Sequence, residues 1–198
     1  MDHLLTAYSG IKPHAPGIEL ADYTIPAVQM PDGEPIMESK IIAVALEQLF
    51  PIPCAYLESP ILAQVEEAWK ATWRSLRPVL GPRMARECLS GPTIAWYREA
   101  REQTLGMTLE EFEERYGGEP AWEKATPYLQ QLAAILKNDP SGPFCLGSTP
   151  SYADFLIVGF LEWCRCIGGG NFERICGIDS AFHDVYNACV PWLERNDH

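Results

Sequence analysis

Residues 23–39 read Tyr-Thr-Ile-Pro-Ala-Val-Gln-Met-Pro-Asp-Gly-Glu-Pro-Ile-Met-Glu-Ser. Thr24 to Gln29 is β-compatible, Pro31-Asp32-Gly33 is strong turn chemistry, and Glu34 to Met37 can return as a second strand, which predicts a β-hairpin. Ser39 can then cap a helix whose apolar residues Ile41, Ile42, Ala45, Leu46 and Leu49 share a face. Phe50-Pro-Ile-Pro53 ends that helix. Only 22 residues stand before Tyr23, fewer than the roughly 30 that a βαβ unit needs. They hold Gly10, Pro13, Pro16 and Gly17, and read as an irregular arm.

Downstream of a linker at Cys54 to Ser59, every periodic segment is helical. Ser59-Pro60 is a cap followed by proline, and Leu62, Val65, Trp69, Leu76 and Leu80 recur at helical spacing. A second helix starts near Thr93 and carries Trp96, Tyr97, Ala100 and Leu105. Thr108-Leu-Glu-Glu111 is a capping box opening a short acidic helix. Trp122, Ala125, Leu129, Leu132 and Leu136 form an apolar stripe. Ser151-Tyr-Ala-Asp154 is a second capping box, and the run behind it is apolar nearly all round, as suits a helix in the middle of a bundle. Gly168-Gly-Gly170 breaks it, and two shorter helices follow near Phe172–Cys176 and Ser180–Cys189.

Composition narrows the function. A chain of 198 residues with 47% hydrophobic residues and six Trp can bury a substantial core. Its net charge of −12 disfavours nucleic acid and anionic membranes, both of which call for clustered Lys and Arg. The first 20 residues lack a basic start and a continuous apolar run, so they do not read as a signal peptide. Seven cysteines form an odd, scattered set that suits reduced thiols in the cytoplasm. His14 and His183 have no partner spacing for a metal, and none is expected.

Three segments taken in order carry a family resemblance: Tyr23-Thr-Ile-Pro-Ala-Val28, Ile36-Met-Glu-Ser-Lys-Ile-Ile-Ala43 and Leu46-Glu-Gln-Leu-Phe-Pro51. They resemble the end of the thioredoxin-like domain of glutathione S-transferases. Phe144-Cys-Leu-Gly147 followed by Ser151-Tyr-Ala-Asp-Phe155 is similar to the capping motif of that superfamily's helical domain. Gly10-Ile-Lys-Pro-His14, Tyr97-Arg-Glu-Ala-Arg-Glu102 and Cys189-Val-Pro-Trp-Leu-Glu-Arg195 resemble fungal, etherase-related members, some of them from secondary-metabolite clusters. The resemblance implies a mainly α protein: an all-helical glutathione-transferase C-terminal bundle over residues 54–198, preceded over residues 1–53 by a truncated thioredoxin-like β-hairpin plus helix.

By the same resemblance, Ile25-Pro26 is a cis-proline turn whose first residue offers its backbone to the cysteinyl part of glutathione. Glu38 and Ser39 receive the γ-glutamyl group, the carboxylate accepting from its ammonium while Ser39 and the helix N-terminus donate to its carboxylate. Without the resemblance, Ile-Pro is an ordinary strand-edge proline and Glu-Ser a helix cap. Tyr97, Arg98 and Arg101 fall on the helix that borders the acceptor pocket. Either they orient an acidic or phenolic substrate, or the arginines pair with Glu99 and Glu102 as surface charge. Ser151 and Asp154 have a structural role only. The Ser, Tyr or Cys that acts on the glutathione sulfur belongs to the missing front of the domain, and Tyr8 and Ser9 do not replace it, so no catalytic residue is assigned.

The function expected is a cytoplasmic, homodimeric glutathione S-transferase-like enzyme, using glutathione as co-substrate on a small hydrophobic or aromatic metabolite in detoxification or secondary metabolism. Two alternatives remain open. One is a glutathione-independent isomerase, dehydratase or cyclase on the same scaffold; the other is a non-catalytic binding or assembly protein.

Overall fold

The computed structural model describes residues 24–194. The expectations for the arm at 1–22, including Tyr8, Ser9 and His14, lie outside the described residues. The chain divides into two compact units after Leu57, four residues beyond the boundary read from the proline-rich linker. Those four residues are tied back to the first unit, because the Glu47 carboxylate accepts from the Ala55 N–H at 2.6 Å and from the Cys54 thiol at 3.2 Å.

In the first unit, strands β1 (Ala27–Gln29) and β2 (Pro35–Met37) pair antiparallel with Ala27 opposite Met37, Val28 opposite Ile36 and Gln29 opposite Pro35. The turn between them is closed by Gly33 N–H to Met30 O and Met30 N–H to Glu34 O, both 2.8 Å. Gly33 sits at φ +89°, a conformation that costs glycine nothing and a branched residue a great deal. Helix α1 (Ser39–Leu49) packs on both strands and buries Ile42. Ile41, Leu46 and Leu49 stay exposed, unlike the single covered stripe that periodicity predicts. Two three-residue strands cover only a narrow band, whereas the apolar residues of α1 extend over more of its circumference.

The second unit is helical: α2 (Pro60–Glu87), α3 (Gly91–Leu105), α4 (Leu109–Tyr116), α5 (Gly118–Leu136), α6 (Tyr152–Ile167), α7 (Asn171–Ile178) and α8 (Ala181–Leu193). Helix α2 is the spine, with 28 residues spanning about 42 Å at 1.5 Å per residue, and it packs chiefly on α5 and α6. Ser59 accepts from the Ile61 N–H at its start. Val65, Leu76 and Leu80 on α2 and Ala125 and Leu129 on α5 are wholly buried. Helix α6 touches α2, α7 and α8 and buries Ala153, Ile157, Val158, Phe160, Leu161, Cys164 and Ile167.

Both capping boxes are present, at Thr108–Glu111 and at Ser151–Asp154. The second is buried and does more than start a helix. One oxygen of Asp154 accepts from the Cys145 N–H at 2.7 Å; the other accepts from the Ser151 N–H at 2.8 Å and the Ser151 hydroxyl at 2.7 Å. The carboxylate therefore ties the Phe144–Thr149 loop to α6. At the far end of α6, Arg83 Nε donates to the Ile167 carbonyl at 2.9 Å, satisfying one of the orphan acceptors of a helix C-terminus.

Candidate functional site

The first candidate site lies at the N-terminus of α1. Extending the observed register by one pair sets Pro26 opposite Glu38, so the turn before β1 and the residue after β2 meet at one end of the hairpin. The Ile25–Pro26 bond is cis, as is Ile52–Pro53. Glu38, not Ser39, occupies the cap position of α1, and it makes no side-chain cap bond; Ser39 is the first helical residue. The reason is conformational. Glu38 adopts φ +78°, ψ 117°, in the positive-φ region that non-glycine residues rarely enter, and its side chain turns from the helix toward the segment before β1. There the Glu38 carboxylate accepts from the Thr24 hydroxyl. Ile25, Pro26 and Ser39 are all exposed.

The arrangement is chemically suited to an amino-acid-like group. A carboxylate has about four acceptor positions and can serve more than one donor at a time. The exposed Ser39 hydroxyl and the first-turn N–H groups of an 11-residue helix form a donor set with the partial positive charge of a helix N-terminus. An ammonium beside Glu38 and a carboxylate beside Ser39 would both find complementary partners, and the γ-glutamyl end of glutathione carries these two groups. Nothing local to Thr24 marks it as a site residue, but the strand register does: two residues before Pro26, it falls beside the Glu38 end of the hairpin.

The second candidate region is α3. Tyr97 and Arg101 stand one turn apart, with the Arg101 guanidinium carbon 5.2 Å from the Tyr97 ring centroid, a cation–π contact. Tyr97 leans on α2 at Gly81, where an added Cβ would lie 3.7 Å from its hydroxyl. Arg98 is committed elsewhere. It pairs with Glu110 of α4 at 2.5 Å and with Glu102 at 3.2 Å. The Glu110 hydrogen bond raises the Arg98 pKa and in turn lowers that of Glu110. The helix thus brings Tyr97 and Arg101 together while Arg98 braces α3 against α4. His183, by contrast, lies on α8 with its Nδ1 2.9 Å from the Asn187 amide nitrogen.

A hairpin and helix with a cis-proline turn, followed by a helical bundle whose central helix opens on a buried capping box, defines the glutathione-transferase class of fold. Residues 62–189 match the family model described as the C-terminal domain of glutathione S-transferases, and the chain belongs to that family. It is similar to the glutathione S-transferase-like protein ustS of Aspergillus flavus, at 26% identity over 208 aligned residues that cover 93% of this chain and 72% of that protein. A glutathione S-transferase of Ceriporiopsis subvermispora, solved in complex with glutathione, shares the fold at TM-score 0.75 and 24% identity, covering all of this chain and 80% of its own. Glutathione transferase GSTFuA3 of Phanerochaete chrysosporium does so at TM-score 0.77 and 20% identity, over all of this chain and 81% of its own. No described helix is long and apolar enough to cross a membrane.

Proposed function

We propose that this protein is a glutathione-dependent transferase acting on a small hydrophobic or aromatic molecule, with glutathione anchored by its γ-glutamyl end at Glu38 and Ser39 and by the backbone before Pro26. The observation that carries the reading is the placement of Glu38. A residue held at φ +78°, with its carboxylate fixed by the Thr24 hydroxyl, presents one acceptor and one helix N-terminus side by side. Backbone conformations of this kind cost on the order of 1–3 kcal/mol and persist where surroundings over-determine them. A cap alone does not account for it, because Glu38 makes no cap bond. The relative solved with glutathione supports the choice of ligand. Tyr97 and Arg101 supply an aromatic face and a cation for the second substrate. A homodimer in the cytoplasm is the working form proposed.

Calorimetric titration with glutathione tests the proposal directly. Binding in the micromolar to millimolar range is expected, weakened about tenfold or more in Glu38→Gln through loss of a charge-assisted hydrogen bond. Absence of binding at millimolar glutathione, or equal affinity in wild type and Glu38→Gln, overturns the assignment of this site.

A further inference from the structure

Tryptophan and arginine side chains only donate hydrogen bonds. Among the described residues, two buried side-chain nitrogens have no partner, Trp69 Nε1 and Arg77 Nη2. Both belong to α2, eight residues apart, with Trp73 midway between them. At 1.5 Å per residue their Cα positions are about 12 Å apart, and four-residue steps drift only about 40° around the axis, so the three side chains share one sector of the helix.

That sector is aromatic. Trp73 meets Trp163 of α6 edge-on with ring centroids 5.2 Å apart, and Trp163 lies 6.2 Å from Phe160. The Arg77 guanidinium carbon is 5.9 Å from the Phe112 ring of α4. One further step along α2 is Gly81, against which the Tyr97 hydroxyl rests. The strip therefore continues toward the Tyr97–Arg101 pair on α3.

What sets Arg77 apart among the described arginines is its buried Nη2 with no acceptor. Arg101 rests on the Tyr97 ring, whereas Arg83, Arg86, Arg98, Arg165 and Arg174 each have a carboxylate partner. Arg77 is held by a ring instead. A buried donor left unmet is costly, and the Arg77 Nη2 asks for an acceptor within its reach. An anion with a flat apolar body meets that demand, since the rings take its face and Arg77 its charge.

We infer that Trp69, Trp73 and Arg77 form a recognition strip for an aromatic carboxylate. The role of that ligand as acceptor substrate rests on the transferase reading above; its binding does not. Titration of the full chain with 2-naphthoate and with methyl 2-naphthoate, both without glutathione, tests it. The acid is expected to bind about tenfold more tightly than the neutral ester, as a charge-assisted pair implies. Arg77→Met, which keeps an apolar stem against Phe112, is expected to abolish that preference, and Trp69→Phe to reduce binding of the acid. Circular dichroism confirms that the variants are folded, and the acid–ester comparison in wild type stands whether or not they are. Equal affinity for acid and ester, or an unaltered preference in folded Arg77→Met, overturns the strip. Loss of glutathione binding with the acid preference intact overturns the transferase reading alone.

Discussion

Removing the Asp154 carboxylate tests how the helical unit is held together. Asp154 is fully buried and is the acceptor for the Cys145 N–H, the Ser151 N–H and the Ser151 hydroxyl. In Asp154→Ala two backbone donors lose their acceptor, at about 1–3 kcal/mol each, so the expected loss is about 4 kcal/mol. Asp154→Asn retains one acceptor oxygen but turns an NH2 group toward the other donors, and about 2 kcal/mol is expected on the same basis. Ser151→Ala keeps both backbone bonds and forfeits only the hydroxyl, which places it near the lower end of the ~0.5–2 kcal/mol range for cap residues. All six tryptophans fall between positions 69 and 192, so intrinsic fluorescence during urea unfolding reports on the helical unit. A domain of this size loses about 2–4 °C of melting temperature per kcal/mol, which gives a fall of about 10 °C for Asp154→Ala. A loss below about 1 kcal/mol for Asp154→Ala, or Ser151→Ala proving the more damaging, refutes the assignment of Asp154 as the common acceptor.

Glu162 gives a pH signature. Hydrogen bonds from Arg165, with a further one from the Tyr186 hydroxyl, hold its carboxyl down at about 2 from an ordinary value of 4.5. Its stabilisation is therefore complete above about pH 4.5 and is lost as the pH falls toward 2. Because the partner Arg165 is half exposed, only about 1 kcal/mol is expected, and the urea midpoints of wild type and Glu162→Gln should converge as the pH is lowered; a gap independent of pH would count against the network. Gly169→Ala places a Cβ 2.4 Å from the Arg83 Cζ at φ +74°, so a loss of about 1–3 kcal/mol is expected, smaller in an Arg83→Ala background because the clash disappears; additive losses in thermal melts would contradict this. Burial pushes the Cys164 thiol up to about 12 and Cys189 up to about 11, and raises Cys145 further. Cys54, Cys88 and Cys166 are exposed, so these three should react first with a thiol reagent in the native protein, and rapid labelling of Cys145 would be incompatible with this packing.

The parts of the molecule legible in the sequence are those whose signal is local. Proline and glycine at Pro31-Asp32-Gly33 set the hairpin, and Thr108–Glu111 and Ser151–Asp154 announce two helix starts because a capping box lies within four residues. The long helix α2 is harder to delimit, since Pro78 and Pro82 lie inside it and each removes an N–H donor; buried against neighbouring helices, both are tolerated. Glu38 and Ser39 exchange their expected places because a positive φ at a glutamate depends on what lies across the hairpin, and Thr24 becomes visible only once the register is known. Arg98 shows the same limit from the other side. Its partner within the helix, Glu102, follows from four-residue spacing, but its shorter contact is to Glu110, which the left-handed turn at Gly106 brings back alongside. Spacing marks Trp69 only as one residue of a core stripe and Arg77 only as one arginine among several. What singles them out is a missing partner, and a missing partner is a property of three-dimensional packing that no spacing along the chain can encode.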